Sequence, residues 1–239
     1  MKEKIFIPVI CYNHMANTEF MMSLIKLTHL LRDNDINYYL YPIAFDSLIP
    51  RARNAAAAHF LNSDCSHLLF IDADIEFHPE SALKLLRHNK EVVAGVYPKK
   101  YYMWDRIFAG EEAVDFVFGG EVYFQEDGLI ESTYLPTGFL MIKKEVFIKI
   151  SSNKPELKYQ NDIDAYGQID TFYNFFRSGV HNGIFESEDW GFCSIWRELG
   201  GKVLIDPTIK LGHIGWNNFL GNPLKWCNEA INRYNQKHS

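Results

Sequence analysis

A chain of 239 residues, 47% hydrophobic and 23% charged, has the make-up of a folded globular protein with material for a large core. Its net charge of −6, with no basic run, argues against DNA or RNA as a partner. No stretch is apolar for long enough to span a membrane, and four scattered cysteines (Cys11, Cys65, Cys193, Cys227) without C-x-x-C spacing read as reduced thiols, not a disulfide or zinc framework.

Met1-Lys2-Glu3-Lys4 leads straight into a short apolar run, too short for a signal segment, so the chain reads as soluble and cytoplasmic. Ile5 to Ile10 is a buried strand by its continuous apolar character. Asn17 caps a helix to Leu31, with Phe20, Leu24, Leu27 and Leu31 at helical spacing. Tyr38 to Ala44 is a second strand, and Pro50 opens a helix through Ala55 to Ala58 and on to Leu61. His67 to Ile71 is a third strand, Pro79 to His88 a helix, and Glu91 to Val96 a fourth strand. Alternating strands and helices imply right-handed crossovers and a mostly parallel sheet. Beyond Tyr97 the pattern changes: Val122 to Ile130 reads as a hairpin turning at Asp127-Gly128, then Phe139 to Ile142 as a strand and Lys144 to Ile150 as a helix. Residues 151–182 have weak periodicity, yet Tyr159, Tyr166, Phe172, Tyr173, Phe175 and Phe176 argue against disorder. Ser187 caps a helix to Leu199, Lys202 to Ile205 is a strand, and Pro223 begins a last helix.

The strongest chemical signal is His67-Leu-Leu-Phe-Ile-Asp72-Ala73-Asp74. A buried strand ends in two carboxylates spaced two apart, which an extended chain places on one face. They sit at the strand end where open α/β sheets bind ligands, and their repulsion is relieved by a hard divalent cation. A turn in which one Asp caps the next helix is the plainer reading. Next comes Ser47-Leu-Ile-Pro-Arg51-Ala-Arg53-Asn54: two arginines in the first turn oppose the helix dipole unless an anion docks there, or unless they pair with carboxylates such as Asp46 or Asp72. No G-x-G-x-x-G occurs, so Rossmann-type dinucleotide binding is unsupported. His213, between Gly212 and Gly215, is a metal ligand or an ordinary loop residue. Glu188 and Asp189 open a helix, where acidic residues are favourable in themselves; one of them projecting into a cleft would act as general base. Lys99 and Lys100 follow the fourth strand, within reach of a phosphate or solvated, and Thr137-Gly138 precedes a strand where backbone approaches a ligand or simply turns.

Taken in order, Ile7-Pro8-Val9, Ser-x-x-x-Arg-x-Arg-Asn, Leu-Phe-Ile-Asp-Ala-Asp, Tyr-Pro-Lys-Lys, Thr-Gly-Phe-x-Met, Ser-Glu-Asp-x-x-Phe-Cys and Gly-His-Ile-Gly resemble the GT-A-fold glycosyltransferases, above all the compact kind of large DNA viruses, phages and bacteria. The resemblance spans about residues 4–216. It implies a single-domain α/β GT-A (nucleotide-diphospho-sugar transferase) fold with a mostly parallel central sheet flanked by helices. About 1–100 would form the nucleotide-binding half, about 101–216 the acceptor-binding half, and 217–239 a C-terminal helix. It further implies Mn²⁺ or Mg²⁺ on Asp72, Asp74 and His213, with Asp74 against the diphosphate. Ile7, Pro8, Val9, Ser47, Arg51, Arg53, Asn54, Asp72, Ala73, Lys99, Thr137 and Gly138 would contact the nucleotide or donor. The base would be Asp189, with Glu188 beside it; Trp190-Gly191 departs from what many members carry there. The expected donor is a UDP-sugar, with guanosine as the second base, the acceptor a glycan or glycoprotein, and the location the cytoplasm (the host's, if viral). Two other functions fit the same features. One is a sugar-phosphate nucleotidyltransferase, although Cys11-Tyr12-Asn13-His14 stands where such enzymes carry a glycine-rich loop. The other is a non-catalytic nucleotide-sugar-binding module.

Overall fold

The computed structural model describes residues 3–167 and 169–238; the lead-in at Met1 and Lys2 lies outside them. The first strand, β1 (Lys4–Ile10), is followed by α1 (Thr18–Asp33), β2 (Asn37–Ile43), α2 (Ile49–Asn62) and β3 (His67–Ile71). β1 lies between β2 and β3 and runs parallel to both. The first crossover therefore leaves β1 toward one side and the second lands on the other. That reversal opens a crevice beyond the carboxyl ends of β1 and β3, where open α/β sheets hold ligands.

The sheet continues through β8 (Phe139–Lys143), β5 (Val92–Ala94), β11 (Leu204–Ile205), β7 (Ile130–Tyr134) and β6 (Gly119–Phe124). Only β8 and β7 run against the other strands of this sheet. Both faces are covered, which is why β3 is buried at every position and reads as an unbroken apolar run. Alternate residues divide between two cores. Ile5, Ile7, Leu69 and Ile71 meet Phe20, Leu24, Leu27 and Leu31 of α1 and the apolar side of α3 (Pro79–His88). Phe6, Leu68 and Phe70 meet Ala52 and Ala55–Ala58 of α2, together with α5 (Lys144–Asn153) and α6 (Glu188–Glu198). The alanines let α2 lie close on the sheet.

The elements read from sequence are present within one to three residues at most ends. The predicted hairpin closes at Gln125–Leu129, where Gly128 takes φ 82°. Shorter elements escape a periodicity reading because three to five residues show no period. These are β4 (Ile75–Phe77), α4 (Trp104–Phe108), the ribbon of β9 (Gly179–His181) and β10 (Ile184–Glu186), and β12 (Leu211–Ile214) with β13 (Asn218–Leu220). β4, β12 and β13 form a separate small sheet with β12 in the middle. His213, expected in a loop or at a metal, thus sits within a strand, and residues 217–222 carry β13 before α7 begins at Pro223.

Two expected caps differ in detail. Asn17 occupies the cap position of α1, but its side chain makes no cap bond and donates to the Ala73 carbonyl at 3.2 Å. The backbone N–H of Asn17 reaches the same oxygen at 3.0 Å, which ties the start of α1 to the Asp72–Asp74 turn. Ser187 likewise caps α6 by position only, its hydroxyl donating to Asp189.

Residues 154–167 and 169–178 are anchored, not loose. Phe172, Phe175 and Phe176 are fully buried, and Phe176 stacks on Phe192 with ring centroids 4.9 Å apart. This explains Trp190-Gly191. Trp190 stacks on Tyr134 at 4.4 Å, and a Cβ on Gly191 would overlap the Arg177 carbonyl oxygen of the segment passing over α6. Gly191→Ala is therefore expected to cost about 1–3 kcal/mol through overpacking against backbone. A urea midpoint equal to the parent's would show that the segment yields.

α3 is tied to the loop after β11 by Asp206, which accepts from His88 at 2.8 Å and from the Thr208 hydroxyl at 2.6 Å, and pairs with Lys84. Burial would raise this carboxyl, but the bonds from Thr208, His88 and Lys84 outweigh it and hold it at about 2. A folded pKa below the unfolded value gives stability that is present above about pH 4 and lost as pH falls toward 2, worth about 2 kcal/mol. Acid titration of unfolding should show this loss, and Asp206→Asn should flatten it.

Candidate active site

The crevice at the ends of β1 and β3 is a cavity of about 470 Å³, within the usual range for small-molecule sites. Its walls come from Ile10, Cys11, Tyr12, Met15, Ala16 and Asn17 after β1, Ile49 and Arg53 of α2, the Asp72–Asp74 turn, and Glu188 of α6. The turn is fixed on both sides. The Asp72 N–H donates to the Gly138 carbonyl at 3.0 Å, and the Asp74 carbonyl accepts from Ile214 N–H at 2.8 Å.

Arg53 is the central cation. Its side chain is 5% exposed, and Nη2 donates to both oxygens of Asp72 at 2.9 and 3.1 Å while Nε reaches Glu188 at 3.4 Å. Burial opposes its charge, but Asp72 and Glu188 outweigh that and raise its pKa. Nη1 is buried without a protein hydrogen-bond partner.

Asp74 points away from this group to a second corner. Its Oδ2 accepts from Lys100 Nζ at 2.6 Å and lies 3.4 Å from His213 Nε2. Burial would raise the Asp74 carboxyl, yet His213 and Lys100 hold it at about 2. His213 Nδ1 is 2.7 Å from the Pro98 carbonyl, which can only accept, so Nδ1 carries a proton and the Nε2 edge of the ring faces Asp74. Metal-bound histidines are commonly oriented in this way.

Glu188 and Asp189 occupy the first turn of α6. Glu188 lines the cavity and answers Arg53. Asp189 accepts from Trp190 N–H at 2.8 Å and from the Ser187 hydroxyl, both on Oδ1. No ion pair joins it to a cation among the described residues.

The other sequence-selected residues lie elsewhere. Arg51 makes two 2.8 Å bonds to Asp46, which also accepts the Tyr166 hydroxyl at 2.7 Å, so this arginine faces away from the cavity. Asn54 is buried and holds Asn174 and the Phe176 N–H. Lys99 faces Asp115 at 3.7 Å, and Ser47 is exposed ahead of α2. Ile7 and Pro8 are buried in mid-strand and Val9 is half-buried, while the cavity wall begins at Ile10. Thr137 is buried, and Gly138 makes room for Tyr97: a Cβ there would sit 2.6 Å from the ring.

The cavity wall at Cys11, Tyr12, Met15 and Ala16 is not among the residues expected at the site; Cys11-Tyr12-Asn13-His14 stands out in the sequence only as the place where nucleotidyltransferases carry a glycine-rich loop. Asn13 and His14 both adopt positive φ (57° and 58°), a region that Asn and His enter more readily than most. Lys100, not Lys99, is the lysine at the carboxylates.

No protein-family model matches the sequence, and no curated protein does. Among solved structures the chain is similar to A197 from STIV, with 18% identity and a TM-score of 0.50 over 94% of this chain and 92% of that one. It is also similar to the catalytic domain of Drosophila beta1,4galactosyltransferase 7 complexed with xylobiose, at 13% identity and TM-score 0.47 over 92% and 70% of the two chains. GalNAc-T7 with UDP, GalNAc and Mn²⁺ matches at 11% identity and TM-score 0.43, over 90% of this chain but 44% of the other. The fold is a compact, single-domain GT-A-like α/β fold, with a mostly parallel central sheet flanked by helices.

Proposed function

We propose that the protein is a metal-dependent glycosyltransferase that moves a sugar from a nucleoside-diphosphate sugar, a UDP-sugar in the first place, to an acceptor hydroxyl. The observation that carries this reading is the crevice itself. One cavity at the point where the strand order reverses gathers a buried, incompletely satisfied arginine, the Asp72–Asp74 turn and the Glu188 carboxylate of α6, with Asp189 beside it in the same helical turn.

In this reading residues 1–100 hold the nucleotide, with base and ribose against the wall from Ile10 to Asn17. Arg53 offers Nη1 to an anion, and Asp72 and Glu188 keep its guanidinium in place. The corner of Asp74 and His213 fits a hard cation as a two-ligand site. Among the described residues no three His, Cys, Asp or Glu side chains gather to hold a metal by themselves. The remaining positions would then fall to donor phosphate oxygens and water, as is usual for Mg²⁺. Mn²⁺ or Mg²⁺ there would supply Lewis-acid stabilisation of the diphosphate charge. Lys100, released from Asp74, is placed to pair with the same anion.

Asp189 is the base. It takes the proton of the acceptor hydroxyl as that oxygen bonds to the anomeric carbon, and the bond to the diphosphate breaks with its electron pair on the leaving oxygen. Attack from the face opposite the leaving group inverts the configuration. Residues 101–216 would supply the acceptor side. No helix among the described residues is long and apolar enough to cross a membrane, and the acceptor is a glycan or glycoprotein.

Thermal unfolding with UDP, GDP, ADP and CMP, each with Mn²⁺ or EDTA, tests the donor site. A rise of the midpoint for one diphosphate that EDTA removes is expected. No rise with any nucleotide would remove the donor assignment.

A further inference from the structure

We propose that Tyr102, Trp104 and Trp216 form a platform on which a neutral pyranose ring of the acceptor stacks; the assignment to the acceptor rests on the glycosyltransferase reading above. Trp216 is 78% exposed and Trp104 62%. They are not scattered singly, as exposed apolar side chains ordinarily are. Tyr102 joins them, with ring centroids 6.0 Å from Trp104 and 6.3 Å from Trp216. Buried Phe219 underlies the group, 5.0 Å from Tyr102 and 5.2 Å from Trp216. The Asn217 amide donates to the Tyr102 hydroxyl at 2.7 Å, fixing the ring and placing hydrogen-bonding groups at its rim.

The platform grows out of the Asp74 corner along two chain segments. Tyr102 follows Lys100 by two residues, and Trp216 follows His213 by three. Gly215 closes the turn onto the Asn217 carbonyl at 2.9 Å and lies against Lys100, where a Cβ would come within 3.1 Å of Cδ. None of the three rings lines the nucleotide cavity. They stand next to the Asp74 corner without being part of the cavity wall. A pyranose has an apolar C–H face and a rim of hydroxyls. An aromatic face with a hydroxyl and an amide at its edge matches that chemistry, and aromatic side chains with a polar handle suit ligands that are apolar on one side and wet on the other.

The test uses the full chain with lactose, cellobiose and maltose as probes, read by saturation-transfer NMR at millimolar sugar. The nucleotide-dependent midpoint shift is followed in parallel. At least one disaccharide should receive saturation. Trp104→Ala/Trp216→Ala should weaken its binding about tenfold or more, as loss of an aromatic anchor does. Trp216→Phe, which keeps a stacking face, should retain most of it, and all variants should keep the nucleotide shift. Three results would overturn the platform: no saturation of any disaccharide, equal binding by the double variant, or a dimer in sedimentation that Trp216→Ala dissolves, which would mean that the rings contact a second copy. Disaccharide binding that depends on the tryptophans in a protein without any nucleotide shift would uphold a sugar site and remove the glycosyltransferase reading instead.

Discussion

Asp74→Ala should abolish Mn²⁺-dependent nucleotide binding while leaving the ligand-free protein folded. In the parent, a ligand at about a hundred times its dissociation constant adds about 2.7 kcal/mol to stability. For a chain of this size that raises the unfolding midpoint by about 5–10 °C. Among the described residues Asp74 is the carboxylate paired with His213 and no third His, Cys, Asp or Glu joins them, so losing it removes half of what these residues offer a cation. Its turn is held by backbone bonds to Gly138 and Ile214, which the substitution leaves intact. The quantity to compare is each protein's shift between nucleotide with Mn²⁺ and nucleotide with EDTA. A variant shift equal to the parent's would sink the assignment of the metal to this corner. Asp72→Asn is a different experiment, because Asp72 is the bidentate partner of buried Arg53 and its loss acts first on that side chain.

Asp189→Asn should lower the transfer rate by about 10²–10⁴-fold, the range that a positioned general base supplies. The amide keeps an oxygen for the Trp190 N–H and the Ser187 hydroxyl, so the first turn of α6 survives, and the nucleotide shift should be unchanged. Glu188→Gln is the informative partner. Glu188 answers Arg53 at 3.4 Å, so its loss should show in donor affinity before it shows in the rate at saturating donor. Full retention of transfer by Asp189→Asn, with Glu188→Gln inactive, would move the base one residue back.

Much of the first hundred residues was legible because each signal was local. An apolar run ending in Asp72-Ala73-Asp74 declares a buried strand and a charged strand end without help from the rest of the chain. The alternation of strands and helices over the first hundred residues declares parallel crossovers in the same way. The small sheet was not legible. β4, β12 and β13 are each three or four residues long, and β4 and β12 are far apart in sequence, so neither period nor turn chemistry announces them. Yet this sheet carries His213 to the Asp74 corner.

The pairs show the same division more sharply. Arg51 and Arg53 are two apart on a helix, about 200° around its axis, so only one faces the cavity; the other is drawn to Asp46 and Tyr166. Lys99 and Lys100 are neighbours in an irregular segment and point to Asp115 and Asp74 respectively. The aromatics of residues 154–178 proved to be core anchors, whereas Trp104 and Trp216, unremarked in the sequence, are exposed. By itself the sequence determined the succession of elements, the buried strand with its carboxylate end, and the kinds of residue that flank it. Only the tertiary structure decided which member of each pair turns inward. Local periodicity fixes how far neighbouring side chains diverge around a helix or strand, while the direction in which the element as a whole faces is set by long-range packing.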